Sequence, residues 1–140
     1  MLPVEIEALG VVLAARLLLT LGRPAPAVLR LLASGRVRSS RRVDDEAALV
    51  AVRRAGRVWG AACLAQSVSL ASMLHRRGDD PVVVLGCRRQ GDGEWTAHAW
   101  VEVAGRRLEP VVSAAHSELA RLEAARGWQP AATGGDAGRA

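Results

Sequence analysis

A cysteine, a histidine and a carboxylate follow one another in the stretch Cys63 to Pro110, each in a different local setting. Cys63 opens Cys63-Leu64-Ala65-Gln66-Ser67, His98 opens His98-Ala99-Trp100-Val101-Glu102-Val103, and Glu109 lies in Leu108-Glu109-Pro110. These are the parts of a cysteine-nucleophile site: a thiol that attacks, an imidazole that moves protons and an acid that orients it. A thiol reacts as the thiolate, and a free cysteine, with a pKa of about 8.5, is only slightly ionised at neutral pH. A helix N-terminus and a neighbouring imidazolium both stabilise the anion. Cys63 is predicted at the start of a helix, where backbone N–H groups lack intrahelical partners.

The other candidates fit structural roles better. Cys87 ends an apolar strand and reads as a small buried hydrophobe. His75 sits near a helix end, where positive charge is simply stabilising, and His116 lies in a predicted polar C-terminal helix. Glu109 follows from hairpin geometry. If Ala104-Gly105 is a two-residue turn, Val103 pairs with Arg106, Glu102 with Arg107 and Val101 with Leu108, which brings Glu109 opposite Trp100. Directly opposed residues share a face, so Glu109 joins Trp100 and His98, diagonal to His98 at roughly 7–8 Å. A one-residue slip would move it to the other face. Glu102 lies four residues from His98 and is expected to pair with Arg107.

The elements that must position these groups read as helices followed by strands. Residues 4–21 are predicted helical and largely apolar, broken over Gly22 to Pro26. Ala27 to Ala33 is a short amphipathic helix, and the basic run Arg36, Arg38, Arg41 and Arg42 links onward. Asp44 is placed as the N-cap of a helix reaching about Val58, with Asp45 and Glu46 in its first turn. Gly56 and Gly60 are read as loosening the chain around Trp59. The Cys63 helix runs to about Arg77, with Leu64, Ser67, Val68, Ala71 and Leu74 as its buried stripe, stopped by Gly78 and Pro81. Strands are predicted over Val82–Cys87, Glu94–Val103 and Arg106 to about Glu109, then a helix from Ala114 to about Arg126 and a disordered tail from Pro130 to Ala140. The resulting class is α+β, N-terminal helices packed on a small antiparallel sheet. Its expected organisation is a helical segment 1–42, a core 43–129 and a tail 130–140, folded as one domain.

Composition narrows the function classes. The chain has 140 residues, half of them hydrophobic, with no Tyr and no Phe, so tyrosine chemistry is excluded. All 19 basic residues are arginine, which excludes lysine chemistry. The lack of Lys and Asn, with abundant Ala, Arg, Gly and Val, suggests a GC-rich bacterial genome. The net charge of +5 favours acidic partners, but no aromatic residues interleave with the 36–42 run, so nucleic acid is not expected. Two cysteines make no disulfide scaffold, and no Cys/His spacing suits a metal. Glu5 and Glu7 oppose a secretory signal. The apolar run Gly10 to Leu21 is too short to span a bilayer, so a cytoplasmic location is expected.

The ordered motifs Cys63 at a helix start, "RRGDDPVVVLG", "HAWVEV" and "LEP" resemble the transglutaminase-like, papain-like cysteine protease core. The small size and the "CLAQSVSLASMLHRRG" helix are most similar to the stand-alone leader peptidases of lasso peptide biosynthesis, over roughly residues 59–110. The resemblance implies Cys63 as nucleophile, His98 as general base and acid, and Glu109 as orienting acid, where the superfamily usually has Asp. It implies an oxyanion hole with Cys63 as one donor and Gln66 or Trp59 as another, though packing is the preferred role for Trp59. It further implies cleavage of a ribosomally made precursor between leader and core, without metal or organic cofactor, before a separate lasso cyclase closes the core. Longer members carry a leader-binding domain ahead of the protease. Here the first ~60 residues read as helices, so a separate leader-recognition protein is the expected partner, docking on Arg36–Arg42 or the 4–21 helix. Another transglutaminase-fold amidase or crosslinking enzyme, or a non-catalytic peptide-binding module, are the alternatives.

Overall fold

Four helices precede five strands in the computed structural model, which describes residues 3–34, 44–110, 117–124 and 126–130. The helices are α1 (Val4–Thr20), α2 (Ala25–Ala33), α3 (Asp45–Trp59) and α4 (Cys63–Arg76). The strands are β1 (Val82–Arg89), β2 (Trp95–Val103), β3 (Arg106–Leu108), β4 (Ser117–Glu123) and β5 (Gly127–Pro130). All neighbouring strands are antiparallel, in the order β3-β2-β1-β4-β5. The expected α+β class is the one found.

The helix boundaries follow local chemistry. Asp44 caps α3, its side chain accepting from the Glu46 N–H at 3.3 Å. Pro24 precedes α2, where its missing N–H costs nothing. α1 buries Ala8, Val12 and Ala15, a small-residue stripe that lets α3 pack closely. α4 is central: every residue from Ala65 to Leu74 is buried, because α1, α2, α3 and the sheet all pack on it. The single stripe expected for this helix is therefore too narrow. Its buried serines turn inward on the helix, Ser69 Oγ donating to the Ala65 carbonyl (2.6 Å) and Ser72 Oγ to that of Ser69 (2.8 Å).

Glu7 fastens α1 to the end of α4 by pairing with both Arg76 (2.6 Å) and Arg77 (2.7 Å). All three side chains are largely buried. Glu7→Gln leaves two largely buried guanidinium groups without their carboxylate, and we expect a loss of about 1–3 kcal/mol, read from the urea midpoint.

The sheet has two distinct faces. Val101 pairs with both Val83 and Leu108, and Val83 with Leu122, forming one buried row across four strands. This row, with Ala99 and Val103, shares a single core with the helices. Residues of the other parity, His98, Trp100 and Glu102, alternate onto the opposite face.

The C-terminal part differs from expectation. Residues 117–123 form β4, not a helix, and β5 follows. The Ala/Glu/Leu/Arg composition favours a helix locally, but β1 is buried and β2 occupies only one of its edges. β4 satisfies the N–H and C=O groups on the other. The expected linker with Arg36, Arg38, Arg41 and Arg42, the segment holding His116, and residues 131–140 of the expected tail lie outside the described residues. Pro130, the first residue of that tail, belongs to β5.

Candidate active site

Cys63 is the first residue of α4, delivered there by a tight α3–α4 turn. Gly60 ends α3 in the left-handed region at φ 61°, where a side chain would be strained. Gly56 does not loosen the chain as expected: it is helical and buried, and a Cβ there would lie 2.3 Å from the Gln66 side chain. The Gly56 carbonyl accepts from the Ala61 N–H (2.9 Å), and the Ala61 carbonyl accepts from Gln66 Nε2 (2.8 Å). This latch holds the turn directly before Cys63. Ala62 is the N-cap residue of α4 and provides no side-chain cap, unlike Asp44 of α3. The first intrahelical bond runs from the Gln66 N–H to the Ala62 carbonyl (3.1 Å), so the N–H groups of Cys63, Leu64 and Ala65 have no helical acceptor.

The two side chains considered as oxyanion donors each make a hydrogen bond elsewhere. Gln66 is buried, with its amide engaged in the latch. Trp59 Nε1 donates to the Leu9 carbonyl of α1 at 2.9 Å, a packing role.

His98 is buried on β2, opposite Gly86 of β1. Its ring stacks with Trp100, centroids 6.0 Å apart and planes 30° from parallel. α4 packs on β2, the strand that carries His98. The hairpin register is the expected one: Val103 pairs with Arg106, Glu102 with Arg107 and Val101 with Leu108. Ala104 and Gly105 make the turn, both with positive φ, as a two-residue hairpin loop requires. Glu109 follows directly after β3. Its carboxylate pairs with Arg107, whose guanidinium carbon lies 3.9 Å over the Trp100 ring. Its carbonyl accepts from Arg53 of α3, at 2.6 Å from Nη2 and 3.1 Å from Nε.

Glu102 does not form the ion pair expected with Arg107. It accepts from Trp100 Nε1 (3.4 Å) and pairs with Arg121 of β4 (2.6 Å), which also pairs with Glu118 (2.7 Å). Burial opposes the charge on Arg121, but hydrogen bonds and charges from Glu102 and Glu118 outweigh it and raise its pKa above the usual arginine value. The Glu118 contact depends on a β-bulge. Leu85 pairs with Ala120 but Gly86 with Glu118, so Leu119 is the extra residue. The bulge puts Glu118 on the face of Arg121, which residues three apart on a regular strand would not share. It also aligns Glu118 with His98 across the side-chain-free Gly86. Reading this segment as a helix hid Glu118.

Cys87 lies in β1, opposite Ala97 and Ser117, and His75 in the last turn of α4. Among the described residues no group of three or more His, Cys, Asp or Glu is placed to hold a metal ion. No helix among them is long and apolar enough to cross a membrane.

The family model for the transglutaminase-like superfamily matches residues 9–133, nearly the whole chain. The chain belongs to this superfamily. The match begins inside α1, so the transglutaminase-like unit takes in the N-terminal helices as well as the Cys63-to-Pro110 stretch. No curated protein and no solved structure matches. The superfamily includes cysteine proteases, and this transglutaminase-like chain carries a cysteine at the start of α4 and a histidine on β2, a strand against which α4 packs.

Proposed function

We propose that the protein is a cysteine peptidase using Cys63, His98 and Glu109, and that its substrate is the leader-bearing precursor of a lasso peptide. The observation that carries this reading is Cys63 at the uncapped first turn of α4, in a chain of the transglutaminase-like superfamily. The uncapped N–H groups and the helix dipole favour a thiolate there and later an oxyanion. In the proposed reaction Cys63 Sγ attacks the scissile carbonyl and His98 protonates the leaving amine. The acyl-enzyme is then hydrolysed by water that His98 deprotonates. The chemistry requires Sγ within hydrogen-bond reach of the imidazole, and an acid to fix the ring. Glu109 is assigned that role because it directly follows β3 in the expected hairpin register and pairs with Arg107, which lies over Trp100. The leader specificity rests on the resemblance of the Cys63 helix and the small size of the chain.

A separate leader-recognition protein and a lasso cyclase are the partners this reading implies. The α1–α2 surface suits docking. Leu17, Leu21 and Leu31 are at least half exposed, and a groove of about 220 Å³ lies between Leu18, Arg23, Ala27, Val28 and Leu31. From Ala8 to Val43 the sequence holds seven arginines and no carboxylate, which suits an acidic partner.

Alkylation tests the reading without knowledge of the substrate. With iodoacetamide at pH 6, Cys63 is expected to react selectively and faster than a model thiol, as the proposed nucleophile role requires. Reaction no faster than the model thiol would favour a peptide-binding module. Mass analysis of precursor products then separates peptidase, giving two fragments, from crosslinking enzyme, which joins chains with loss of ammonia.

A further inference from the structure

We propose that Arg107 is a positioning residue for Glu109, fixing one carboxylate oxygen so that the other is presented to His98; this rests on the catalytic reading above. A glutamate has one more rotatable bond than an aspartate and needs a restraint to act as a fixed orienting group. Arg107 supplies it. It lies two residues before Glu109 on the same face of the hairpin, and its ion pair is to Oε1 of Glu109. The guanidinium carbon lies 3.9 Å from the centre of the Trp100 ring, over its face, and Trp100 stacks on His98. Arginine suits the task because its planar fork stacks on an aromatic ring while donating sideways to a carboxylate. From behind, Arg53 fixes the Glu109 backbone carbonyl. Of the other charged groups on this face, Glu102, Arg121 and Glu118 are tied to one another, Glu123 meets Arg126, and Arg88 lies toward the other end of the strand, opposite Thr96; among the described residues Arg107 is the cation paired with the Glu109 carboxylate.

The test is the pH profile of Cys63 alkylation in the full chain, followed by mass spectrometry so that Cys87 is scored separately. Arg107→Gln is expected to raise the profile midpoint by about one pH unit, roughly tenfold slower reaction at pH 6. A loosened Glu109 supports the imidazolium less well, and with it the thiolate. Arg107→Lys keeps the charge but not the fork and is expected to recover part of the shift. Arg107→Gln added to Glu109→Gln is expected to have no further effect, whereas Arg106→Gln, on the other face and paired with Asp45, leaves the midpoint unchanged. An unchanged midpoint in Arg107→Gln, with an activated wild-type Cys63, overturns the positioning role and leaves the catalytic reading standing. A lowered midpoint also overturns it, since it would mean Arg107 draws Glu109 away from His98. A wild-type Cys63 with no activation overturns both. Melting curves accompany each profile. If Arg107→Gln does not fold, Arg107→Lys decides alone, with a smaller upward shift expected and an unchanged profile counting against the role.

Discussion

Cys63→Ala is expected to lower the proposed precursor cleavage by at least about 10⁴-fold in kcat while leaving the fold intact. The size follows from the proposed role: without the nucleophile no acyl-enzyme forms, and only binding and oxyanion contacts remain. Intact folding follows from position. Cys63 is half-buried at the first turn of α4, where alanine has the better helix propensity and loses only one sulfur's packing. Stability within about 1 kcal/mol of wild type is therefore expected, which separates loss of chemistry from loss of structure. Cys87→Ala is the matched control and retains cleavage. The measurement is chromatography with mass detection of leader and core fragments, with the leader-recognition protein present. Residual cleavage by Cys63→Ala above one per cent of wild type would rule out Cys63 as the nucleophile.

Leu122→Ala has the largest expected effect on stability, about 2–5 kcal/mol, read from urea unfolding. Leu122 is fully buried and completes the row Leu108–Val101–Val83–Leu122 beneath the helices. Truncation leaves a cavity between sheet and helical layer that neither can close without disturbing the row. Leu119→Ala, three residues earlier, is expected to cost under about 0.5 kcal/mol, since Leu119 sits at the bulge and is half exposed. The pair discriminates between strand and helix for this segment. Residues three apart share a helix face and would cost similar amounts; on a strand they separate. Equal losses would contradict the β4 assignment.

The helices and the first three strands were legible because their local signals agree with the tertiary structure. Asp44 and Gly78 mark helix ends, the Val82–Leu85 run is apolar and mostly β-branched, and Ala104-Gly105 sets the hairpin register. β4 was not legible. Its local composition is helical, and what makes it a strand is the free edge of β1, some 35 residues earlier in the chain. The same non-local pairing hid Glu118. Gly56 was misjudged for a related reason: a helical glycine looks like weakness until the facing Gln66 side chain is known. In the site, the residue types and the Glu109 register came from sequence. The Arg107–Trp100 stack did not, because it depends on which carboxylate each arginine chooses.

The strand order also bears on solubility. Both outer strands are short: β3 has three residues, two of them arginines, and β5 has four and ends in Pro130. Charge, brevity and proline each deter another chain from adding to a sheet edge. The apolar β1 strand is kept inside the sheet by the β4–β5 hairpin. Release of that hairpin would bare the Val83-Val84-Leu85 edge, which lacks these deterrents. Variants that weaken β4 are therefore expected to aggregate on unfolding sooner than variants of equal stability in α1 or α2.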